Sequence, residues 1–145
     1  LVVLGRYDPT TQPYHRAVMA AASPQVRFVG AIYDAPVVSA LRAHAAGYVH
    51  GHQVGGTNPS LVEAMGAGNA VLAHDNRFNR WVLGDAGRYF RSTEDCATRF
   101  DQLLDDAAGL ERQREATRRR FRGQFTWPAV LAQYENLLRN FLPAK

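Results

Sequence analysis

Short apolar runs alternate with helical patterns along most of the chain, and this alternation restricts the fold more than any other feature of the sequence. The runs Leu1 to Gly5 and Val26 to Gly30 have the β-branched, apolar content of buried parallel strands. Gly47 to His50 and Ala70 to His74 follow after similar intervals, and a weaker strand is predicted around Arg88 to Phe90. Strands separated by helices predict an α/β fold with a doubly wound parallel sheet and right-handed crossovers.

Apolar residues recur at helical spacing between these strands and after the last of them, which predicts helices in these segments. Three C-terminal stretches follow the sheet and are expected to be helices. The polar segment from Asp75 to Arg80 is expected to be a loop that leads into a short helix. The longer predicted helices are Pro13 to Ala22, Ala35 to Ala45, Pro59 to Ala64 or Met65, Thr93 to Asp106, Leu110 to Arg122 and Trp127 to Leu142.

The composition is that of an ordinary globular domain. Of 145 residues, 46% are hydrophobic and 21% are charged, which excludes disordered and collagen-like chains and favours one domain. No apolar run approaches the ~18 residues of a membrane-spanning helix, so we expect a soluble, cytoplasmic protein. The single cysteine, Cys96, excludes an internal disulfide and a cysteine zinc site. Because the chain starts without Met inside an apolar run, we expect a fragment of a longer protein.

Arginine dominates the charge of the chain. The formal net charge is +4, and 16 of the 17 basic residues are arginine. Six arginines form a cluster between Arg112 and Arg122. This cluster has two interpretations: a solvated helix face, or a surface for an anionic partner such as a lipid headgroup or a nucleic acid. We expect no nucleic-acid partner, and we leave open a peripheral contact with the inner face of a membrane.

The segment from Gly55 to Glu63 carries the most chemical information. Its two glycines allow a tight turn, Asn58 is a strong N-cap, and Pro59 suits the first position of a helix. Free amides and the helix dipole at the carboxyl edge of a parallel sheet favour a phosphate. Glu63 lies one turn further on, where a carboxylate accepts hydrogen bonds from ribose hydroxyls. The alternative is a well-capped crossover helix whose Glu63 only complements the dipole.

Two common nucleotide-binding motifs are absent from this segment. The glycines do not follow the GxGxxG pattern, and no Lys follows them as in a Walker motif. The sequence therefore argues against a dinucleotide-dependent dehydrogenase and against a P-loop protein.

The run from Val26 to Val71, above all His50 to Glu63, resembles the donor-binding half of family 4 glycosyltransferases, which have the GT-B fold. The stretch from His50 to Leu61, followed by Asp75 to Val82, is most similar to a bacterial subgroup of polysaccharide rhamnosyl- or glucosyltransferases. Phe125-Thr126-Trp127 is similar to the start of the closing helix of that fold. The resemblance implies a Rossmann-like nucleotide-sugar (donor) binding domain over residues 1–145, truncated at its N-terminal side, with the acceptor domain absent.

The resemblance also implies roles for individual residues. The amides of Thr57, Asn58, Ser60 and Leu61 would face the diphosphate. Glu63 would hold the ribose, and the turn from Gly30 to Ile32 would lie near the base. Gly55 stands where the family usually has a second glutamate that touches the donor sugar, which puts the sugar contact in doubt and leaves Gln53 as the nearest polar substitute. No catalytic residue is assigned. The expected substrate-binding residues are Ile32, His52, Gln53, Gly55, Gly56, Thr57, Asn58, Ser60, Leu61, Glu63 and Arg77.

Histidines and arginines near the predicted strand ends add further candidates. His50, His52 and His74 are interpreted as polar lining of the donor cleft, as structural histidines or as metal ligands, and the lack of a nearby cysteine or carboxylate argues against a metal. In one interpretation, the loop that carries Arg77 and Arg80 closes over the sugar and distal phosphate, and one of these arginines provides the cation. In the other, it is only a polar loop with no role in binding. The resemblance implies no obligatory metal, and we expect no cofactor.

Together these observations predict the donor-binding domain of a retaining glycosyltransferase. Its parent enzyme would move a sugar from a nucleoside-diphosphate sugar to a saccharide or lipid-linked acceptor in bacterial surface polysaccharide synthesis, with the acceptor bound by the missing N-terminal domain. This chain alone is expected to be inactive. The alternatives are a non-catalytic nucleotide-binding or regulatory α/β module and a flavodoxin-like signalling domain. The apolar stripe after Trp127 would pack across a domain junction, fold back, or form a homodimer.

Overall fold

A computed structural model describes residues 1–141 of the chain. The chain divides into two compact units, Leu1–Leu41 and Arg42–Lys145, and the boundary falls inside a helix. The predicted helix end at Leu142 lies outside the described residues.

The first unit contains two short parallel strands and their helices. β1 (Val2–Val3) is followed by α1 (Pro13–Ala21), β2 (Arg27–Phe28) and α2 (Ala35–His44), whose last residues belong to the second unit. β1 pairs with β2 in parallel, with Val2 opposite Arg27. α1 begins at Pro13 because the missing N–H of proline costs nothing at that position.

In its described residues, the second unit contains a three-stranded parallel sheet and five complete helices. The strands are β3 (Gly47–His50), β4 (Ala70–His74) and β5 (Arg88–Phe90), and they pair in that order. His50 lies opposite Ala73, and His74 lies opposite Phe90. The helices are α3 (Pro59–Gly66), α4 (Arg77–Leu83), α5 (Thr93–Asp105), α6 (Ala107–Gln124) and α7 (Trp127–Arg139), and a short 3-10 turn spans Gly84–Ala86.

The core of the second unit surrounds the central strand β4. The first four residues of β4 are fully buried because neighbouring strands pair with both of its edges and helices pack against it. Leu61 and Met65 from α3 and Val82 and Leu83 from α4 complete the buried apolar cluster. This packing holds the carboxyl ends of β3 and β4 and the starts of α3 and α4 in a fixed arrangement.

Polar side chains attach α6 to the sheet. The hydroxyl of Thr117 donates to the carbonyl of Asn69 at 2.9 Å, and the side-chain amide of Gln113 donates to the carbonyl of Val71 at 2.8 Å. Both side chains are buried. α6 is therefore held by specific hydrogen bonds in addition to apolar packing.

Most of the arginine cluster has partners within the chain. Arg118 and Arg119 lie 3.5 Å and 3.2 Å from carboxylates on α6 itself, and the guanidinium of Arg120 donates to the carbonyls of Trp81 and Val82. In the described part of the chain, no helix is long and apolar enough to span a membrane. A peripheral membrane contact stays a prediction.

The structure confirms the predicted α/β fold with parallel strands, and several details differ from expectation. The strands form two sheets rather than one, and β1 and β2 are only two residues long. α6 begins at Ala107 instead of Leu110 because the Asp106 carboxylate accepts a hydrogen bond from the Gly109 amide at 2.7 Å and caps the helix earlier.

α7 leaves its apolar side chains exposed. They are Trp127, Leu131, Tyr134, Leu137 and Leu138, with Phe141 beyond the helix end. Packing across a domain junction and packing on a second copy of the chain both stay predictions.

Candidate functional site

The start of α3 is built as the sequence predicts. The Oδ1 atom of Asn58 accepts hydrogen bonds from the Ser60 amide at 3.1 Å and the Ser60 hydroxyl at 2.7 Å. The Tyr48 hydroxyl on β3 donates to the Ser60 oxygen at 3.1 Å. Pro59 occupies the first turn. The expected N-cap is confirmed, and a side chain of the sheet braces it.

Backbone amides of the loop before α3 are unoccupied by protein groups. Within residues 1–141, no amide from residue 51 to 58 donates a hydrogen bond to the chain. By contrast, the Ser60 amide is taken by the Asn58 side chain and the Leu61 amide by the Asn58 carbonyl at 3.1 Å. Of the four amides expected to face a diphosphate, those of Thr57 and Asn58 are therefore available.

A cavity of about 130 Å³ lies against this loop. Its wall consists of residues 54–59, the start of α4 and the histidines His50 and His52. Gly55 adopts a φ of +132°, which L side chains rarely adopt, and nothing lies within 4 Å of an added Cβ at Gly55 or Gly56. The backbone is thus open to a close approach by a ligand.

Two asparagines, one capping the start of α4 and one within it, also line the cavity. The Nδ2 atoms of Asn76 and Asn79 donate to the His52 carbonyl at 3.0 Å and 2.9 Å. Asn79 also donates to the carbonyl of His74, the last residue of β4, at 2.8 Å. It therefore connects the end of β4 to the loop that follows β3. The Asn76 oxygen caps α4 by accepting from the amides of Phe78 and Asn79. Neither residue was among those expected at the site, although Asn76, just before a helix, is a typical N-cap signal.

The imidazole of His50 is buried, with 1% of the residue exposed. Neither ring nitrogen has a hydrogen-bond partner among the described residues. The His52 ring stacks on it, with centroids 4.7 Å apart and planes 19° from parallel. Burial, and to a smaller extent the neighbouring His52, lower the pKa of His50 to about 4, so the ring is neutral at physiological pH.

The third histidine of the predicted set has a different environment. His74 packs edge-on against Phe90, with ring centroids 5.6 Å apart, and does not line the cavity. Within residues 1–141, no group of three or more His, Cys, Asp or Glu side chains is placed to hold a metal ion.

Glu63 forms an ion pair on α3. Its Oε2 atom lies 2.8 Å from Nη2 of Arg42, whose side chain is 22% exposed while that of Glu63 is 56% exposed. The Arg42 carbonyl in turn accepts a hydrogen bond from the buried Asn69 side chain at 2.7 Å. The carboxylate is therefore oriented by a fixed partner, and it remains open to solvent.

The two candidate arginines have different roles in the structure. The Arg77 guanidinium lies over the Phe78 ring, 4.7 Å from its centroid, and Arg77 does not line the cavity. Arg80 and Arg91 both bind the carboxylate of Asp75, and hydrogen bonds from these two guanidinium groups hold the pKa of Asp75 well below its usual range. Arg80 is thus engaged with protein, which leaves Arg77 as the freer cation of the pair.

The predicted residues separate into three groups. His52, Gly55, Gly56, Thr57 and Asn58 come together in the cavity wall. Ile32 belongs to the first unit, in the irregular segment between β2 and α2. The remaining predicted residues belong to the second unit but do not line the cavity: Gln53, Ser60, Leu61, Glu63 and Arg77.

Comparison with known proteins gives a likeness of fold. No protein-family model and no curated protein sequence matches the chain. Among solved structures, HepE of Anabaena in complex with UDP has a TM-score of 0.77 at 16% identity over 96% of this chain. Sucrose-phosphate synthase from Thermosynechococcus elongatus has a TM-score of 0.77 at 21% identity over 97% of this chain. HepE in complex with UDP and glucose has a TM-score of 0.72 at 16% identity over 96%.

These likenesses establish the architecture. The chain spans 40% of HepE and 38% of the synthase. It has the Rossmann-like α/β fold of one half of a GT-B glycosyltransferase, as the sequence predicts. Membership of family 4 and a preference for rhamnose stay predictions.

Proposed function

We propose that this chain is the nucleotide-sugar-binding domain of a glycosyltransferase. The observation that carries the proposal is the run of unoccupied amides from residue 51 to 58, which ends at the capped start of α3 and borders a cavity. HepE, which was solved with UDP, supports it through a shared fold over nearly the whole chain.

The diphosphate is the part of the ligand that this loop fits. The amides of Thr57 and Asn58 and the positive end of the α3 dipole favour an anion at this point. Glycine at positions 55 and 56 lets phosphate oxygens approach the backbone without meeting a side chain. Because the Asn58 side chain already satisfies Ser60, the anion would bind at the loop rather than on the axis of α3.

Glu63 is proposed to hold the ribose. A carboxylate accepts hydrogen bonds from two neighbouring hydroxyls, and its ion pair with Arg42 fixes the orientation of the carboxylate. Arg77, which is not engaged with a carboxylate as Arg80 is, would provide a cation for the sugar or the distal phosphate.

The reaction of the parent enzyme would be transfer of the sugar to a hydroxyl of a saccharide or lipid-linked acceptor. The leaving diphosphate gains negative charge in the transition state, and amides that are already oriented stabilise that charge without reorganisation. A retaining course, a role in bacterial surface polysaccharide synthesis and an acceptor site on another domain are parts of this proposal. Because the chain spans about 40% of HepE, we propose that it needs the rest of a longer protein for activity.

Isothermal titration calorimetry tests the proposal. The folded chain is titrated with millimolar UDP, dTDP, GDP and ADP, and one diphosphate should bind selectively. Glu63→Ala should lose most of this binding, whereas Glu115→Ala, which removes an exposed carboxylate on α6, should bind as the wild type does. The proposal fails if none of the four diphosphates binds, or if both variants bind equally well.

A further inference from the structure

The cavity contains a second feature that the binding of a diphosphate does not use. His50 ends β3 and lines the cavity, yet both of its ring nitrogens lack partners among the described residues. Native proteins leave few buried polar groups without hydrogen bonds, and each such group calls for an explanation. A ligand that supplies the missing hydrogen bonds is one such explanation, and the cavity provides the place for it.

The chemistry of His50 indicates which part of a ligand it would contact. A neutral imidazole has one N–H donor and one nitrogen acceptor. Phosphate oxygens only accept and are best matched by cations and by the free loop amides. A sugar hydroxyl both donates and accepts, so it satisfies either ring nitrogen.

The size of the cavity agrees with a contact to part of a ligand. Its volume of about 130 Å³ is smaller than the roughly 300–1,000 Å³ of sites that enclose a whole drug-sized molecule. The cavity would therefore hold only the part of the ligand that lies between the loop amides and His50.

Access to His50 depends on His52. The stacked ring of His52 covers His50, but the residue is exposed, and exposed side chains change rotamer within nanoseconds. Its backbone, by contrast, is held by Asn76 and Asn79 through the His52 carbonyl. Rotation of the ring alone would uncover His50 and leave the loop in place.

We propose that His50 binds a hydroxyl of the sugar half of the nucleotide sugar, and that it thereby distinguishes the sugar ester from the free diphosphate. This inference rests on the proposed function. It adds a specificity-determining residue that the sequence analysis treated only as one member of a histidine group.

Matched titrations test the inference. UDP and UDP-glucose are titrated into the wild type, into His50→Leu, which keeps a similar volume without polar atoms, and into His50→Gln, which restores a donor and an acceptor. His44→Leu removes an exposed histidine on α2 and serves as the control. We expect the wild type to prefer UDP-glucose, and His50→Leu to weaken UDP-glucose by about threefold to tenfold with UDP unchanged. His50→Gln should recover part of the preference.

Imidazole nitrogen NMR gives an independent measure. The ring nitrogen resonances of His50 should shift on addition of UDP-glucose and should not shift with UDP. The inference is overturned if the wild type binds UDP and UDP-glucose equally, or if His50→Leu weakens both by the same factor. If another of the four diphosphates is the one that binds, it and its glucose ester replace UDP and UDP-glucose. If the folded wild type binds none of the four diphosphates, the proposed function itself fails, and that result is distinct from a lost sugar preference.

Discussion

The buried imidazole of His50 makes the stability of the fold depend on pH. In the folded chain its pKa is about 4, whereas an unfolded histidine titrates near 6.5. Below about pH 6.5 the unfolded state therefore binds a proton that the folded state does not bind. The stabilisation from the neutral ring is fully present above pH 6.5 and is lost as the pH falls toward 4.

The magnitude follows from the difference between the two pKa values. At about pH 5, the unfolded imidazole is almost fully protonated and the folded one is mostly neutral, which costs roughly 2 kcal/mol relative to pH 7.5. Below both pKa values the loss reaches about 3 kcal/mol. Burial is the larger cause of the pKa shift and the charge of His52 the smaller one.

Urea unfolding followed by circular dichroism measures the effect. The free energy of unfolding is determined at about pH 7.5 and about pH 5 for the wild type and for His50→Leu, which cannot take up the proton. The other titratable groups are shared by both proteins, so the difference between their pH dependences isolates His50. We expect the wild type to lose about 2 kcal/mol more than the variant. Equal pH dependence of the two proteins would refute the argument that this ring is buried and neutral.

Three substitutions test other parts of the structure. Gly55→Ala should destabilise the chain by about 1–2 kcal/mol because of the positive φ, whereas Gly56→Ala, in open space, should change thermal stability little; equal effects would contradict the loop geometry. Thr117→Val should cost about 1–2 kcal/mol in urea unfolding because it leaves the buried Asn69 carbonyl without its hydroxyl donor, and unchanged stability would contradict this contact. Asp75→Asn should lower the free energy of unfolding at pH 7 by about 1 kcal/mol through loss of its two arginine partners, with a smaller difference in strong acid; a difference that does not change with pH would contradict this.

Local signals explain why the fold was predictable. The alternation of apolar runs and helical periods predicted the parallel strands, and Asn58 followed by Pro59 predicted the start of α3. These features depend on neighbours within one or two helical turns. β1 and β2 proved shorter than their apolar runs, since strand length depends on pairing that one strand does not specify.

Contacts between distant segments explain what was missed. Thr117 and Gln113 lie in an arginine-rich helix that looks solvent-exposed in the sequence, but they bind carbonyls 48 and 42 residues away. Asn79 reaches the His52 carbonyl across 27 residues. Backbone carbonyls leave no mark in a sequence, so such partners become visible only after the strands are placed.

The candidate site was predictable in its backbone and less so in its side chains. Gly55 to Asn58, which the sequence predicts as a tight turn and an N-cap, lie in the cavity wall. The Ser60 and Leu61 amides, which were expected to face the diphosphate, bind Asn58 instead. The ion pair between Glu63 and Arg42 could not be predicted from the sequence, because β3 and the loop after it separate α2 from α3 along the chain.

Amide NMR mapping with UDP tests the central claim most directly. The account predicts that UDP shifts the backbone amide resonances of Gly55, Gly56, Thr57 and Asn58 most strongly, and that those of the arginine-rich helix α6 stay in place. Saturable shifts confined to the loop would support a nucleoside-diphosphate site at the start of α3. Unchanged loop resonances at millimolar UDP, dTDP, GDP and ADP, or shifts centred on α6, would contradict it.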